Sequence, residues 1–201
     1  MCFKALFMNS KHHDDLAHIR LMMERSSRFI SLSGMSGILA GVLALIATYS
    51  AWYFIENTSS GDQLFVQLAA TAVITLILAL FFGVYLTVRK SRKDNVSIAN
   101  TLTKRLILSL AIPLLAGAVF TIALCYHGYF GMVAPALLVF YGLSLINASK
   151  FTVTDIEYLG YCEVTLGCMA LFFMGNGLIF WAIGFGLLHI IYGTVMHKKY
   201  H

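Results

Sequence analysis

The sequence predicts an all-α membrane protein: a six-transmembrane-helix bundle, N-in/C-in, with a short N-terminal amphipathic helix. Three observations predict it. Of the 201 residues, 59% are hydrophobic and 11% charged, and the mean hydropathy is +0.81, far outside the range of soluble domains. Apolar stretches recur along the chain, each close to the ~20 residues that a bilayer core requires. The basic residues all fall on one side of the topology that those stretches define.

The elements follow in order. Residues 1–28 are expected to be a cytoplasmic segment, in which Leu16, Ile19, Met22 and Met23 recur at helical spacing among charged residues within 12–28, as in an interfacial helix. Met1 to Met8 is too short for a signal-peptide core and cleavage site, so the first span is expected to remain as an anchor. That span, about 30–55, carries Ser33, Gly34, Ser36, Gly37 and Gly41, a small-residue face with GxxxG at Gly37 to Gly41. Such a face predicts close approach to a neighbouring helix of the bundle, with a second copy of the chain, a homo-oligomer, as the alternative. The second span, about 64–88, opens behind a capping box at Ser60-Gly61-Asp62-Gln63. Residues 89–105 form a basic cytoplasmic loop, and this loop and residues 12–28 are the expected surfaces for a protein partner.

The third and fourth spans, about 106–126 and 129–148, contain Pro113 and Pro135. Each proline frees a backbone carbonyl that a neighbour, a hydroxyl or water must satisfy, and a kink that opens a cavity and an ordinary packing feature are both open readings. The fifth span, about 156–174, follows a second capping box, Thr154-Asp155-Ile156-Glu157, whose acids read as caps at the positive end of the helix dipole. The sixth, about 178–196, follows the turn Gly175-Asn176-Gly177, and residues 29–197 make a single transmembrane domain.

Orientation comes from charge. The expected outer segments, 56–63, 127–128 and 175–177, hold no Lys or Arg. The basic residues are Lys4, Lys11, Arg20, Arg25 and Arg28, then Arg89, Lys90, Arg92, Lys93, Lys104 and Arg105, then Lys150, Lys198 and Lys199. By the positive-inside rule both termini are cytoplasmic. The formal charge of +5 therefore belongs to juxtamembrane anchors that meet anionic lipid headgroups, and no nucleic acid is expected as a partner. Cys2, Cys125, Cys162 and Cys168 show no C-x-x-C spacing, which argues against a disulfide framework. The sequence has no Gly-rich phosphate loop or nucleophile elbow, and no cofactor, metal or catalytic residue is assigned.

Two glycine frames stand out. Residues 160–167 read Gly160-x-x-Glu163-x-x-x-Gly167 and residues 186–193 read Gly186-x-x-His189-x-x-x-Gly193. Glu163 lies thirteen residues before Asn176 and His189 thirteen after it, roughly 20 Å along either helix at 1.5 Å per residue. The two groups are thus expected at one depth inside the bilayer, where ionisable residues mark pathways and relays. An ionised carboxylate there needs a partner or a proton, and the flanking glycines are expected to let the two helices approach each other. Ser36, Ser109 and Tyr141 fall at similar distances from the cytoplasmic ends of their helices and complete a candidate polar layer.

The runs ERSSRFISLSGMSGILAG at 24–41, LGYCEVTLG at 159–167 and GFGLLHIIYG at 184–193 resemble a family of short polytopic proteins of bacterial inner membranes that carries no assigned function. The resemblance implies a multi-pass protein of the bacterial cytoplasmic membrane. From the residues themselves the expected role is a non-enzymatic sensor or accessory subunit with a buried Glu/His pair. The alternatives are a small proton-coupled transporter or channel and, third, a membrane-embedded enzyme acting on lipid.

Overall fold

The structure, a computed structural model, describes residues 34–93 and 101–199. The expected interfacial helix at 12–28, Ser33, and residues 94–100 of the basic loop lie outside the described residues. Among the described residues every regular element is a helix and no strand forms. In hydrocarbon a backbone must satisfy its own hydrogen bonds within the segment, and helices do so.

Among the described residues five helices are long and apolar enough to cross a membrane: α1 (Gly34–Asn57), α2 (Gly61–Lys93), α3 (Thr101–Tyr126), α4 (Phe130–Ser149) and α6 (Met174–Lys199). Between the last two lies α5 (Ile156–Phe172), which has 17 residues. It stops short of the expected Met174 because the backbone turns at Phe173 (φ −125°, ψ 53°) into a 3-10 turn over Met174–Asn176. Two other boundaries differ from the sequence expectation. The basic ends of the 89–105 segment are helical, since α2 runs on through Lys93 and α3 begins at Thr101.

Packing follows an order the chain does not. Helix α1 lies between α2 and α6, α6 lies between α1 and α4, and α4 carries both α3 and α5. Burial concentrates on α4 and α5, where Leu138, Ala148 and Ala170 are fully enclosed and Leu145, Ile156 and Leu159 form a cluster that Tyr141, Leu188 and Tyr192 cover. Helix α2 has one buried residue, Ser91, and exposes Ile74, Ile77, Leu80, Phe81 and Val84. An apolar surface of this extent fits lipid rather than water.

Glycines line two helix seams. On α1 and α6 a Cβ at Gly193 would lie 2.6 Å from the Ile38 nitrogen and 2.7 Å from the Gly34 oxygen, and one at Gly41 would lie 2.6 Å from the Gly186 oxygen. On α4 and α5 a Cβ at Gly142 would lie 2.7 Å from the Gly160 oxygen, and one at Gly167 would lie 2.9 Å from the Val139 nitrogen. Backbone meets backbone at both seams, as small-residue interfaces in membranes allow.

The prolines differ from each other. Pro113 stands inside α3 and leaves the Ser109 carbonyl, four residues earlier, without its helical donor. Asn147 of α4 supplies the missing hydrogen bond, its Nδ2 donating to the Ser109 oxygen at 2.8 Å. Pro135 makes no such demand. After the 3-10 turn Phe130–Met132 the α-helical part of α4 starts at Val133, so Pro135 occupies the first turn, where the missing N–H has no intrahelical partner to lose. The kink reading there therefore gives way to an N-terminal proline.

The capping box expected at Thr154 also resolves differently. Asp155 precedes α5 but its side chain makes no cap hydrogen bond. Instead Lys199 Nζ donates to Asp155 Oδ2 at 2.7 Å, and Glu157 accepts a short hydrogen bond from the Tyr161 hydroxyl. The Lys199–Asp155 pair brings the last turn of α6 to the first turn of α5.

Candidate functional site: a buried carboxyl beside an imidazole

Glu163 is 0% exposed and His189 6%. Glu163 projects from the middle of α5, with Gly160 and Gly167 one turn to either side. His189 follows directly on a π-helical stretch of α6, Ala182–Leu188. Such wide turns recur at functional sites because they re-aim side chains and backbone groups. Here the widening brings the Gly184 carbonyl within 3.0 Å of His189 Nδ1, five residues on.

The ring is held at both nitrogens. Since a carbonyl only accepts, Nδ1 carries a proton and donates to the Gly184 oxygen. On the other side Nε2 lies 2.7 Å from the Tyr141 hydroxyl of α4, which donates to it when the ring is neutral. Phe185 stacks beside the ring with centroids 6.0 Å apart, and Trp181 sits 4.5 Å from Phe185 one turn further along.

Glu163 is not held in this way. Its Oε1 lies 3.4 Å from His189 Nδ1, yet neither carboxyl oxygen makes a hydrogen bond. Around it are Leu138, Leu166 and the bare Cα of Gly184, where a Cβ would come within 2.6 Å of Oε2 and collide with Leu138. A carboxyl this deeply enclosed and unpartnered is unusual, because burial of a polar group without a hydrogen bond is costly. The arrangement can bind or release one proton between a carboxyl and an imidazole whose other contacts are already fixed.

The sequence-expected residues are distributed as follows. Glu163, His189 and Tyr141 meet. Ser109 contributes its carbonyl to Asn147, on the α3–α4 contact. Ser36 lies half-buried on α1 beside Gly37, whose Cβ position is 3.2 Å from the Gly193 Cα. The glycine frames serve a different purpose from the one expected. Gly160 and Gly167 face α4, and Gly186 and Gly193 face α1, so neither frame draws α5 and α6 together. That close approach is made by Gly184, which the spacing argument passed over because it falls outside the frame. Its two-residue offset from Gly186, in Gly184-Phe185-Gly186, was the available signal.

Comparisons with known proteins add no identity. No protein family model, no curated protein and no solved structure matches this chain.

Proposed function

We propose that this chain is a non-enzymatic, six-span protein of a bacterial cytoplasmic membrane. In this reading both termini are inside, and Glu163, His189 and Tyr141 bind a proton through which a sensor or accessory subunit responds. The observation that carries the reading is the fully buried Glu163 carboxyl, without a hydrogen bond at either oxygen and 3.4 Å from an imidazole. Proteins place ionisable groups at such depth where they act on protons or ions.

The six-span topology draws support from the Lys199–Asp155 ion pair, which sets the end of α6 level with the start of α5. A helix of 17 residues extends about 25 Å and reaches the lower limit for a span. The absence of Lys and Arg from 56–63, 127–128 and 175–177 supports both termini inside. Cysteines introduced singly at Thr58 and Lys150 after replacement of the native four test this, since an impermeant reagent is expected to label the Thr58 position in intact cells and the Lys150 position only after the membrane is opened. Anionic lipid at the basic face, and a protein docked through 12–28 or 89–105, are the partners proposed.

Infrared difference spectroscopy on the protein in lipid nanodiscs tests the proton site. A carbonyl band of a protonated carboxyl should grow on acidification and be missing from Glu163→Gln. A spectrum identical in the variant and the wild type would end the proposal. The transporter alternative draws on the same carboxyl, but Pro135, one of the two prolines invoked to open its path, stands in the first turn of the α-helical part of α4. It becomes the better reading only if proteoliposomes show pH-driven flux that Glu163→Gln abolishes.

A further inference from the structure

Resting on the proton-binding reading, we infer that His189 is a tautomer switch: protonation of Glu163 moves the ring proton from Nδ1 to Nε2, freeing the Gly184 carbonyl from the imidazole. The inference comes from the three contacts of one ring. In the arrangement described, Nδ1–H donates to the Gly184 oxygen at 3.0 Å. Tyr141 donates to Nε2 at 2.7 Å, and Glu163 Oε1 waits 3.4 Å from the same Nδ1 without a hydrogen bond. Every position around the ring is defined, and one acceptor is left over.

A proton added to this network has a second arrangement that satisfies all of its side chains. The Tyr141 hydroxyl gives its proton to Nε2 and recovers one from the medium. The transient imidazolium then passes its Nδ1 proton to Glu163. One proton has entered, the imidazole is neutral again, and no charge is left over beyond the loss of the carboxylate. Glu163 now donates to the bare Nδ1, which requires the 3.4 Å contact to shorten by roughly half an ångström to hydrogen-bond length and the carboxyl to swing into the direction that Nδ1–H takes toward Gly184. Nε2–H donates in turn to the Tyr141 oxygen, since a hydroxyl both donates and accepts. The carboxyl that was unpartnered becomes paired, and the Gly184 carbonyl loses the imidazole donor.

The consequence lies in the backbone. Gly184 sits within the π-helical stretch Ala182–Leu188, whose departure from α-helical form is matched to a side chain bonding five residues back. Release of that bond biases the stretch toward ordinary α-helical bonding. That rotates the part of α6 bearing Trp181 and Phe185 against the part locked to α1 by Gly186 and Gly193. The titratable groups facing the pair from elements packed on α5 are Tyr141 on α4 and His189 and Tyr192 on α6. Helix α1 faces the His189 backbone with Gly37. Asp155 and Lys199 are paired with each other at the helix ends, and Glu157 with Tyr161.

The experiment is solid-state NMR on histidine-labelled wild-type protein in lipid, with the infrared carboxyl band read on the same samples across pH. His189 signals are assigned by their loss in His189→Asn, or by dipolar coupling to labelled glycine carbonyls if that variant does not fold. The expected result is a neutral ring throughout, with the Nδ1–H form replaced by the Nε2–H form in step with the Glu163 carboxyl band. The coupling of Nδ1 to the Gly184 carbonyl should be lost over the same range. A ring that becomes doubly protonated overturns the switch. So does a ring that keeps Nδ1–H while the carboxyl band grows, and in that case the proton-binding reading survives. If neither ring nor carboxyl changes, both fall together.

Discussion

Asn147→Ala should destabilise the protein only while residue 113 is proline. The side chain donates to the Ser109 carbonyl at 2.8 Å, a carbonyl that Pro113 has deprived of its helical donor. A buried acceptor stripped of its partner costs about 1–3 kcal/mol in proteins generally. Interhelical hydrogen bonds in membranes average about 0.6 kcal/mol with a maximum near 1.7. This site is half-buried on both helices, so a loss of about 1 kcal/mol is expected, roughly a fivefold change in the unfolding constant. Pro113→Ala returns an N–H to the helix opposite Ser109. In that background Asn147→Ala should cost at most about 0.3 kcal/mol, giving a coupling of about 0.7 kcal/mol, which is resolvable in a double-mutant cycle. The weak 3.5 Å contact from Lys150 to Asn147 Oδ1 is lost in both backgrounds and cancels. Equilibrium unfolding in mixed micelles, followed by circular dichroism, measures the four proteins. An equal loss in both backgrounds would show that Asn147 contributes packing or polarity unrelated to the proline, and the reasoning would fail.

The remaining predictions concern the pair, the seams and the surface. Glu163→Met should leave stability unchanged or raise it by up to about 2 kcal/mol, because it removes an unpaired polar group, while the ring keeps Gly184 and Tyr141. His189→Leu should cost about 1–3 kcal/mol by orphaning the Tyr141 hydroxyl; equal losses in the two variants, measured in the same micelles, would contradict the asymmetry. Gly193→Val places a Cβ 2.6 Å from the Ile38 nitrogen and should cost at least about 1–3 kcal/mol and suppress α1–α6 cysteine crosslinking. Gly83→Ala meets nothing within 4 Å and should be neutral or stabilising by up to about 1 kcal/mol. Lys199→Ala removes a partly exposed ion pair and should change stability by less than about 1 kcal/mol, the difference shrinking as salt is added.

Several features of the candidate site are legible in the sequence because they depend only on distance along a helix. Thirteen residues on either side of Asn176 place Glu163 and His189 level with each other, and the groups stand 3.4 Å apart. Tyr141 joins them by a similar count from its own helix end. Ser109 was drawn in by the same count, but its carbonyl is committed to Asn147, because depth says nothing about which way a helix face points. Proline chemistry demands a donor for the carbonyl behind Pro113, and the fold supplies it from Asn147, which spacing along the chain does not identify. At Pro135 the same demand does not arise, since a 3-10 turn shortens the α-helical part of α4 from its N-terminal end.

The sequence by itself determined the class of the protein: a chain of apolar helices, five of them among the described residues long enough to cross a membrane. The reason is local. Hydrocarbon compels each spanning segment to satisfy its own backbone, so apolar length alone identifies a helix. Only the tertiary structure decided which helix each face meets. Gly160 and Gly167 turn to α4, Gly186 and Gly193 to α1, and Gly184, outside either frame, turns to the Glu163 carboxyl. Those choices depend on the rotation of each helix about its axis and on the π-helical turn before His189. Both are set by the simultaneous packing of several helices, which no single segment encodes.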